Sequence, residues 1–96
     1  MGFIFRWSPT KARKNVNKHG ITFGEAATVF RDPLSLTIPD DEHSKDEERL
    51  ILLGESAQRR LLVVVHTEED DIIRIISARL AKPYERKTYE EGSPNH

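Results

Sequence analysis

The spacing of apolar residues predicts two helices near the start of the chain. Ser8, followed by a proline, is suited to cap the first helix, which we expect over residues 9–19, and Gly20 is suited to end it. Ala12 and Val16 form a narrow apolar stripe on this helix, while its lysines fall three or four residues apart on another face.

The second helix has the stronger start signal. Thr22 and Glu25 have the spacing of a capping box, and the Asp32–Pro33 pair stops the helix. Between these signals, apolar residues recur at helical spacing and predict one buried face. They are Phe23, Ala26, Ala27 and Phe30.

Beyond the second helix the apolar period shortens to two, which predicts strands. We expect strands over residues 34–38, 49–54, 61–67 and 72–79, and a closing helix over residues 83–91. Short polar connections favour an antiparallel meander, and the last two strands are apolar on both faces, as core strands are. The predicted fold is α+β: two N-terminal helices and a C-terminal helix packed on a mainly antiparallel sheet of four to five strands.

Length and composition favour one domain. The chain has 96 residues, of which 36% are hydrophobic and 32% charged, and this is enough for one core only. We expect a single domain over residues 1–96 with an ordered core of about residues 3–91, including an aromatic-rich stretch at 3–7, and a frayed tail at 92–96.

Charge is balanced overall but uneven along the chain. The net charge of −1 argues against polybasic coating of DNA or membranes. Residues 1–20 nevertheless hold five cations and no acid, whereas residues 40–48 hold six acids and one lysine. The absence of cysteine suits a reducing compartment, and no apolar run approaches the roughly 20 residues of a membrane span. We therefore expect a cytoplasmic protein without membrane contact.

Candidate chemistry concentrates in and after the last predicted strand. Arg74 interrupts an apolar strand and needs either a carboxylate such as Glu48 or a bound phosphate, and both alternatives stay open. Ser77 and Arg79 share one strand face by the two-residue period. A cluster of cations with interleaved tyrosines then suits RNA phosphates and stacked bases, although an ordinary solvated helix face would look the same. The cluster consists of Arg79, Lys82, Tyr84, Arg86, Lys87 and Tyr89.

The histidines and acidic residues do not indicate a metal or cofactor site. His19 ends the first helix, where a structural role and proton transfer are both open. His43 lies beside the acids of residues 40–42, but consecutive acids in a polar turn are more often solvated than metal-binding. Glycine-rich phosphate loops, zinc-ligand spacing and nucleophile elbows are absent. The remaining chemistry is metal-free phosphodiester cleavage, in which the 2′-hydroxyl of RNA attacks, or simple binding.

Several motifs in order resemble one family, the BrnT-type toxins. The resemblance extends from about Phe3 to Glu91. Leu80 departs from it, because many relatives have a basic residue at this position, and the missing charge predicts weaker RNA contact near Arg79. The segments that carry it are residues 5–11, Asn15, 18–21, 23–26, 43–44, 47–49, 61–67, 74–79, Arg86, Tyr89 and Glu90.

This resemblance implies a type II toxin with a RelE-like ribonuclease fold and RNA cleavage that arrests translation. It also implies neutralisation by a BrnA-type antitoxin whose ribbon-helix-helix part binds the operator, so that operator DNA is met only through the antitoxin. An apolar strand edge left open without the antitoxin would favour a homodimer.

Charge and placement then predict the roles of individual residues. We expect Arg79 and Arg86 to hold the scissile phosphate with Arg74 in support, and Tyr89 to stack on or orient a base. Proton transfer is expected from one of three residues, namely Lys18, His19 or Glu48. The expected substrate-binding residues are Lys11, Lys14, Asn15, Ser77 and Lys82.

An alternative from another class uses the same charges without catalysis. In that reading, the basic helix at 9–19 and the closing helix grip an acidic segment of an antitoxin or another partner.

Overall fold

A computed structural model describes residues 2–92, so the predicted frayed tail lies almost entirely outside the described residues. Its main elements are three helices and the strands of one five-stranded sheet, four of which follow one another in the chain. They are β1 (Ile4–Arg6), α1 (Pro9–His19), α2 (Phe23–Thr28), β2 (Leu36–Pro39), β3 (Leu50–Glu55), β4 (Leu61–Glu69), β5 (Ile72–Leu80) and α3 (Pro83–Glu91).

The sheet is mixed, with strand order β1-β5-β4-β3-β2. Strands β2 to β5 form the expected antiparallel meander. At the far edge β1 runs parallel to β5, with Phe5 opposite Ile73, so the aromatic-rich stretch contributes a fifth strand. The sheet is therefore mainly but not wholly antiparallel, and the long connection between β1 and β5, which includes both N-terminal helices, allows their parallel pairing.

Both N-terminal helices begin at the predicted caps. Ser8 Oγ accepts a hydrogen bond from the Lys11 amide at 3.3 Å, and Thr22 Oγ1 accepts one from the Glu25 amide at 3.0 Å. Gly20 ends α1 in the left-handed conformation, with φ of 72°. These local signals therefore fix where each helix starts and where α1 ends.

Two predicted helical features are corrected. Val16 does not belong to a buried stripe, since it is 42% exposed, whereas the polar Asn15 is buried. The second helix ends at Thr28 and continues as a 3-10 turn over Val29–Arg31, because the Thr28 side chain donates to the Glu25 carbonyl and accepts the Ala57 amide from the β3–β4 turn.

The core lies mainly between α1, α2 and one face of the sheet, and it includes the predicted apolar strands. A second, smaller cluster lies under α3 on the other face, where Leu53, Leu61 and Val63 are buried. The main cluster comprises Ile21, Phe23, Ala26, Val29, Leu52, Leu62, Val64, Ile73, Ile75 and Ala78.

The predicted strand at residues 34–38 is shifted to Leu36–Pro39 and is less buried than expected. Leu34 lies before the strand and is exposed, and Ile38 is 55% exposed, because β2 is an edge strand that helices do not cover fully. Within the described chain, no helix is both long enough and apolar enough to cross a membrane.

Candidate functional site

Half of the predicted site residues meet at one surface beside β5, and the others lie elsewhere on the molecule. This surface, which we name the lysine surface, is a shallow depression of about 340 Å³ between α1 and the edge of β5. It brings together six of the predicted site residues, together with Ile76. The six are Lys11, Lys14, Asn15, Lys18, His19 and Ser77.

Helical spacing and a strand irregularity create this surface. Lys11, Lys14 and Lys18 lie on one face of α1 because they are three and four residues apart. On β5, the register with β4 shifts between Val65 and His66, and Ile76 is left without a partner on β4. Ile76 and the adjacent Ser77 line the depression opposite the lysines.

The lysine surface is strongly cationic. Residues lining it include three lysines and His19, and none of the lining residues is acidic. The α1 helix contains no acid, and Lys18 and His19 lie in its last turn, where positive charge is favourable. Such a surface can hold phosphate groups in water without first breaking an ion pair.

Asn15 is the exception in this depression, and its predicted substrate contact is corrected. The residue is 6% exposed. Its Nδ2 donates to the carbonyls of Ile21 at 2.9 Å and Ala78 at 2.8 Å, and its Oδ1 accepts the Ala78 amide at 3.0 Å. Both amide hydrogens are used within the protein, so Asn15 cannot serve as a donor to RNA.

Arg79 lies on a second surface, an apolar groove of about 380 Å³ beside α3. Its guanidinium makes two hydrogen bonds of 2.8 Å to the Glu85 carboxylate. This pair lowers the pKa of Glu85 and raises that of Arg79. A phosphate at Arg79 would have to displace Glu85. The groove is otherwise lined by Leu36, Ile38, Ile51, Leu53, Val63, Tyr84 and Thr88.

Arg74 also has a carboxylate partner, but not the predicted one. It donates to Glu47, whose other oxygen lies 3.5 Å from Arg49, and the Arg74 hydrogen bond lowers the pKa of Glu47. Glu48 instead lines a depression in the acidic loop with Asp41. The structure thus does not bring Glu48 into the lysine surface, where Lys18 and His19 lie.

On α3, Tyr89 has a structural contact that sequence reasoning missed. Its hydroxyl donates to Asp32 Oδ2 at 2.6 Å, and its ring packs against the smaller apolar cluster. Burial and the bond to Asp32 raise the pKa of Tyr89 to about 12. The tyrosine is therefore not free to stack on a base in this conformation. Arg86 is exposed on α3, and Lys82 is exposed at the residue before this helix.

In the acidic loop, His43 and Ser44 bind to Asp40. His43 Nδ1 contacts the Asp40 carboxylate at 3.0 Å, and Ser44 Oγ donates to the Asp40 carbonyl, so these groups satisfy one another. Among the residues described, no three histidine, aspartate or glutamate side chains are grouped so that they could hold a metal ion.

Comparisons with known proteins agree with this fold and with the resemblance. A sequence model described as "Ribonuclease toxin, BrnT, of type II toxin-antitoxin system" matches residues 7–85. The crystal structure of the Brucella abortus ribonuclease toxin BrnT is similar with a TM-score of 0.62 at 22% identity, over 85% of this chain and 97% of that one. No curated protein matches this chain. Since the family match covers most of its length, the chain belongs to the BrnT family of ribonuclease toxins of type II toxin–antitoxin systems.

Proposed function

We propose that this protein is a cytoplasmic toxin that cleaves RNA without a metal ion and thereby arrests translation. The observation that carries the proposal is the lysine surface, where three lysines and His19 line one depression without an acidic neighbour. RNA supplies its own nucleophile, the 2′-hydroxyl, so the protein needs a base, an acid and cations that stabilise the phosphorane charge. The side chains of this surface include each of these groups.

Within this proposal, Lys14 and Lys18 hold the phosphates on either side of the cleaved bond. His19 takes the proton from the attacking 2′-hydroxyl and gives it to the 5′-oxygen that leaves when the phosphorus–5′-oxygen bond breaks. Ser77 is a hydrogen-bonding group on the opposite wall of the depression. Lys11 and the exposed cations of α3, Lys82 and Arg86, extend the path of the RNA chain. We assign Lys18 a charge role rather than proton transfer, because it lies one helical turn from Lys14 on the same face of α1 and can bind a neighbouring phosphate of the same RNA chain.

Arg74 and Arg79 take supporting roles in this arrangement. Each already binds a carboxylate, Glu47 or Glu85, and would have to exchange it for a phosphate. Arg79 binds Glu85 through two hydrogen bonds and Arg74 binds Glu47 through one, and a guanidinium can make the same kinds of bond to phosphate oxygens. Glu48 and Tyr89 are left without a catalytic role, since the loop position of Glu48 and the Tyr89–Asp32 bond keep them apart from the lysine surface.

The first test is RNA cleavage by the purified protein with and without EDTA. We expect cleavage that persists in EDTA, with 2′,3′-cyclic phosphate ends, because the attacking hydroxyl belongs to the RNA. The double variant Lys14→Ala/Lys18→Ala should lose about 100-fold or more of the rate. Its matched control is Arg13→Ala, which removes a cation from a different face of α1, beside Trp7 and Val16.

Salt dependence gives a second readout from the same proteins. Each lost contact to a single-stranded phosphate should reduce the slope of log affinity against log salt by about 0.7, so the double variant should lose about 1.4 and Arg13→Ala almost nothing. Cleavage that needs a divalent ion would contradict the proposed site. Equal effects of Lys14→Ala/Lys18→Ala and Arg13→Ala would contradict it as well.

We further propose a BrnA-type ribbon-helix-helix antitoxin as partner, with operator DNA bound only through that antitoxin and a homodimer when the antitoxin is absent. The bidentate Arg79–Glu85 pair favours an acidic segment as ligand, because the guanidinium is already arranged to bind a carboxylate. If the purified protein binds the antitoxin but cleaves no RNA, the non-catalytic binding module is the better description.

A further inference from the structure

The edge of β5 is closed by two different structures along its length. From Ile72 to Arg74 it pairs with the short strand β1. Beyond Arg74, α1 lies over this edge, and a helix backbone has no free groups with which to continue the ladder. The backbone amide and carbonyl of Ala78 point to this edge, and both are buried and need partners.

The side chain of Asn15 supplies both partners. Its Oδ1 accepts the Ala78 amide at 3.0 Å, and its Nδ2 donates to the Ala78 carbonyl at 2.8 Å. A residue on a neighbouring strand would exchange the same two bonds with Ala78. The second hydrogen of Nδ2 binds the Ile21 carbonyl at 2.9 Å, directly after the turn that ends α1. One carboxamide thereby ties α1 to β5 and to the segment that follows α1.

These bonds connect the two elements that line the lysine surface. Lys14 precedes Asn15 on α1, and Ser77 precedes Ala78 on β5, so the two walls of the depression are joined at adjacent residues. We infer that Asn15 is a positioning residue of the ribonuclease site, which sets the helix that carries Lys14, Lys18 and His19 at a fixed distance from Ser77. This inference rests on the proposed function.

Asn15 has to accept the Ala78 amide and donate to the carbonyls of Ala78 and Ile21. Only a carboxamide on a side chain of this length can make all three bonds. An aspartate offers two acceptors and no donor, so it would place negative charge against the carbonyls of Ile21 and Ala78. Glutamine has the right groups but is one methylene longer, and it would push α1 away from the strand or turn its amide aside. Alanine would leave three buried backbone groups without partners.

The test compares Asn15→Asp with Asn17→Asp, which makes the same chemical change on the same helix at an exposed position. At pH 7 the single-turnover cleavage rate of Asn15→Asp should fall about 10- to 100-fold, since a displacement of about 1 Å can cost about 100-fold. Its RNA affinity should change less than about threefold, because the lysines are intact. Asn17→Asp should cleave at nearly the wild-type rate.

A pH series separates positioning from a general loss of structure. A protonated aspartic acid regains one donor, and burial raises its pKa above the ordinary value of about 3.9. The rate of Asn15→Asp relative to wild type should therefore recover as the pH is lowered from 7 to 5. If this variant does not fold at pH 7, Asn15→Gln takes its place, with a reduced rate and near-normal RNA affinity expected.

Hydrogen exchange at the Ala78 amide checks the contact without activity. The amide should exchange slowly in wild type and Asn17→Asp and much faster in Asn15→Asp. A folded Asn15→Asp protein with the wild-type cleavage rate, an affinity loss as large as the rate loss, or unchanged exchange at Ala78 would overturn the inference. If the wild-type protein itself cleaves no RNA, the proposed function fails, and this is seen before any Asn15 variant is measured.

Discussion

Asp32 holds together three parts of the chain that are distant in sequence. Its carboxylate accepts the amides of Leu34 at 2.9 Å and Glu55 at 2.8 Å, and the hydroxyl of Tyr89 at 2.6 Å. These bonds hold the pKa of Asp32 below its usual range although burial opposes the shift. Since α3 has no fully buried residue, the Tyr89 bond is a main attachment of this helix.

We expect Tyr89→Phe to lower the free energy of unfolding by about 1.5–3 kcal/mol, because it removes a hydrogen bond to a charged group. Urea denaturation at pH 7 measures this. The control is Tyr84→Phe on the same helix, where the side chain is 65% exposed. Equal stabilities of the two variants would contradict the attachment by Tyr89.

The raised pKa of Tyr89 also predicts how the stability of the protein changes at alkaline pH. The hydroxyl is bonded to Asp32 only while it is protonated, so its stabilisation is complete below pH 10 and is lost as the pH rises through about 12. Wild type should therefore lose more stability over this range than Tyr89→Phe, which has no phenol to ionise. Parallel curves for the two proteins would show that the bond does not form in solution.

At the residue scale, the sequence predicts cations better than their partners. The lysines of α1 were predicted to act together because helical spacing alone places them on one face. Arg79 and Asn15 were assigned to substrate because charge and polarity do not reveal a nearby partner, and for Arg74 a carboxylate partner was expected but Glu48 was named instead of Glu47. The partners of the two arginines, Glu47 and Glu85, and the backbone bound by Asn15 follow only from the packing of loops and helices on the sheet.

At the scale of elements, neighbouring segments pack closely against β3 at its glycine, Gly54. A Cβ atom at Gly54 would lie 2.8 Å from Val29 Cγ1 and 2.9 Å from Ser35 Cβ, so no side chain fits there. Glycine at this position allows the 3-10 turn that follows α2 to lie against the strand. By contrast, a Cβ at Gly24 in α2 would meet only Thr22 Oγ1 at 3.9 Å.

These two glycines predict opposite effects of the same substitution. Gly54→Ala should lower the free energy of unfolding by about 1–3 kcal/mol through overpacking. Gly24→Ala should raise it by up to about 1 kcal/mol, because alanine restricts the unfolded chain and favours the helix. Thermal unfolding of both variants measures the difference, and destabilisation by Gly24→Ala as large as that by Gly54→Ala would contradict it.

The elements with strong local signals were predicted well. Caps at Ser8 and Thr22 marked the helix starts, and long apolar runs marked β4 and β5. The strand β1 has three residues, which is too short for a period to be recognised. The exposure of Val16 and Ile38 was not predictable from spacing, because it depends on which neighbour covers each face.

For the molecule as a whole, paired carboxylates link stability to pH. Hydrogen bonds from arginines lower the pKa of Glu25 through Arg60 and that of Glu85 through Arg79. Glu25 also accepts the Ser56 hydroxyl at 2.7 Å, and its side chain is only 2% exposed. Such groups stabilise the fold above their unfolded pKa of about 4.3, and this contribution is lost as the pH falls through the lower folded value.

We therefore expect the urea midpoint to be constant from pH 7 to about 5 and to fall below about pH 4. Glu25→Gln should be less stable at pH 7, and its midpoint should fall less on acidification because it has lost one of the linked groups. The exposed Glu69→Gln serves as control and should follow wild type. An identical pH profile for Glu25→Gln and wild type would contradict a depressed pKa at Glu25.

The pairing of β1 with β5 also has a consequence for biosynthesis. Phe5 is translated long before Ile73, which it lies opposite, and the two bonds between Asn15 and Ala78 cannot form until Ala78 has been translated. A chain whose β5 is still held in the ribosome tunnel therefore cannot assemble the wall that faces the lysines. Protein released by premature termination before β5 would lack the depression altogether, so the proposed activity should arise only once translation of the sheet is complete.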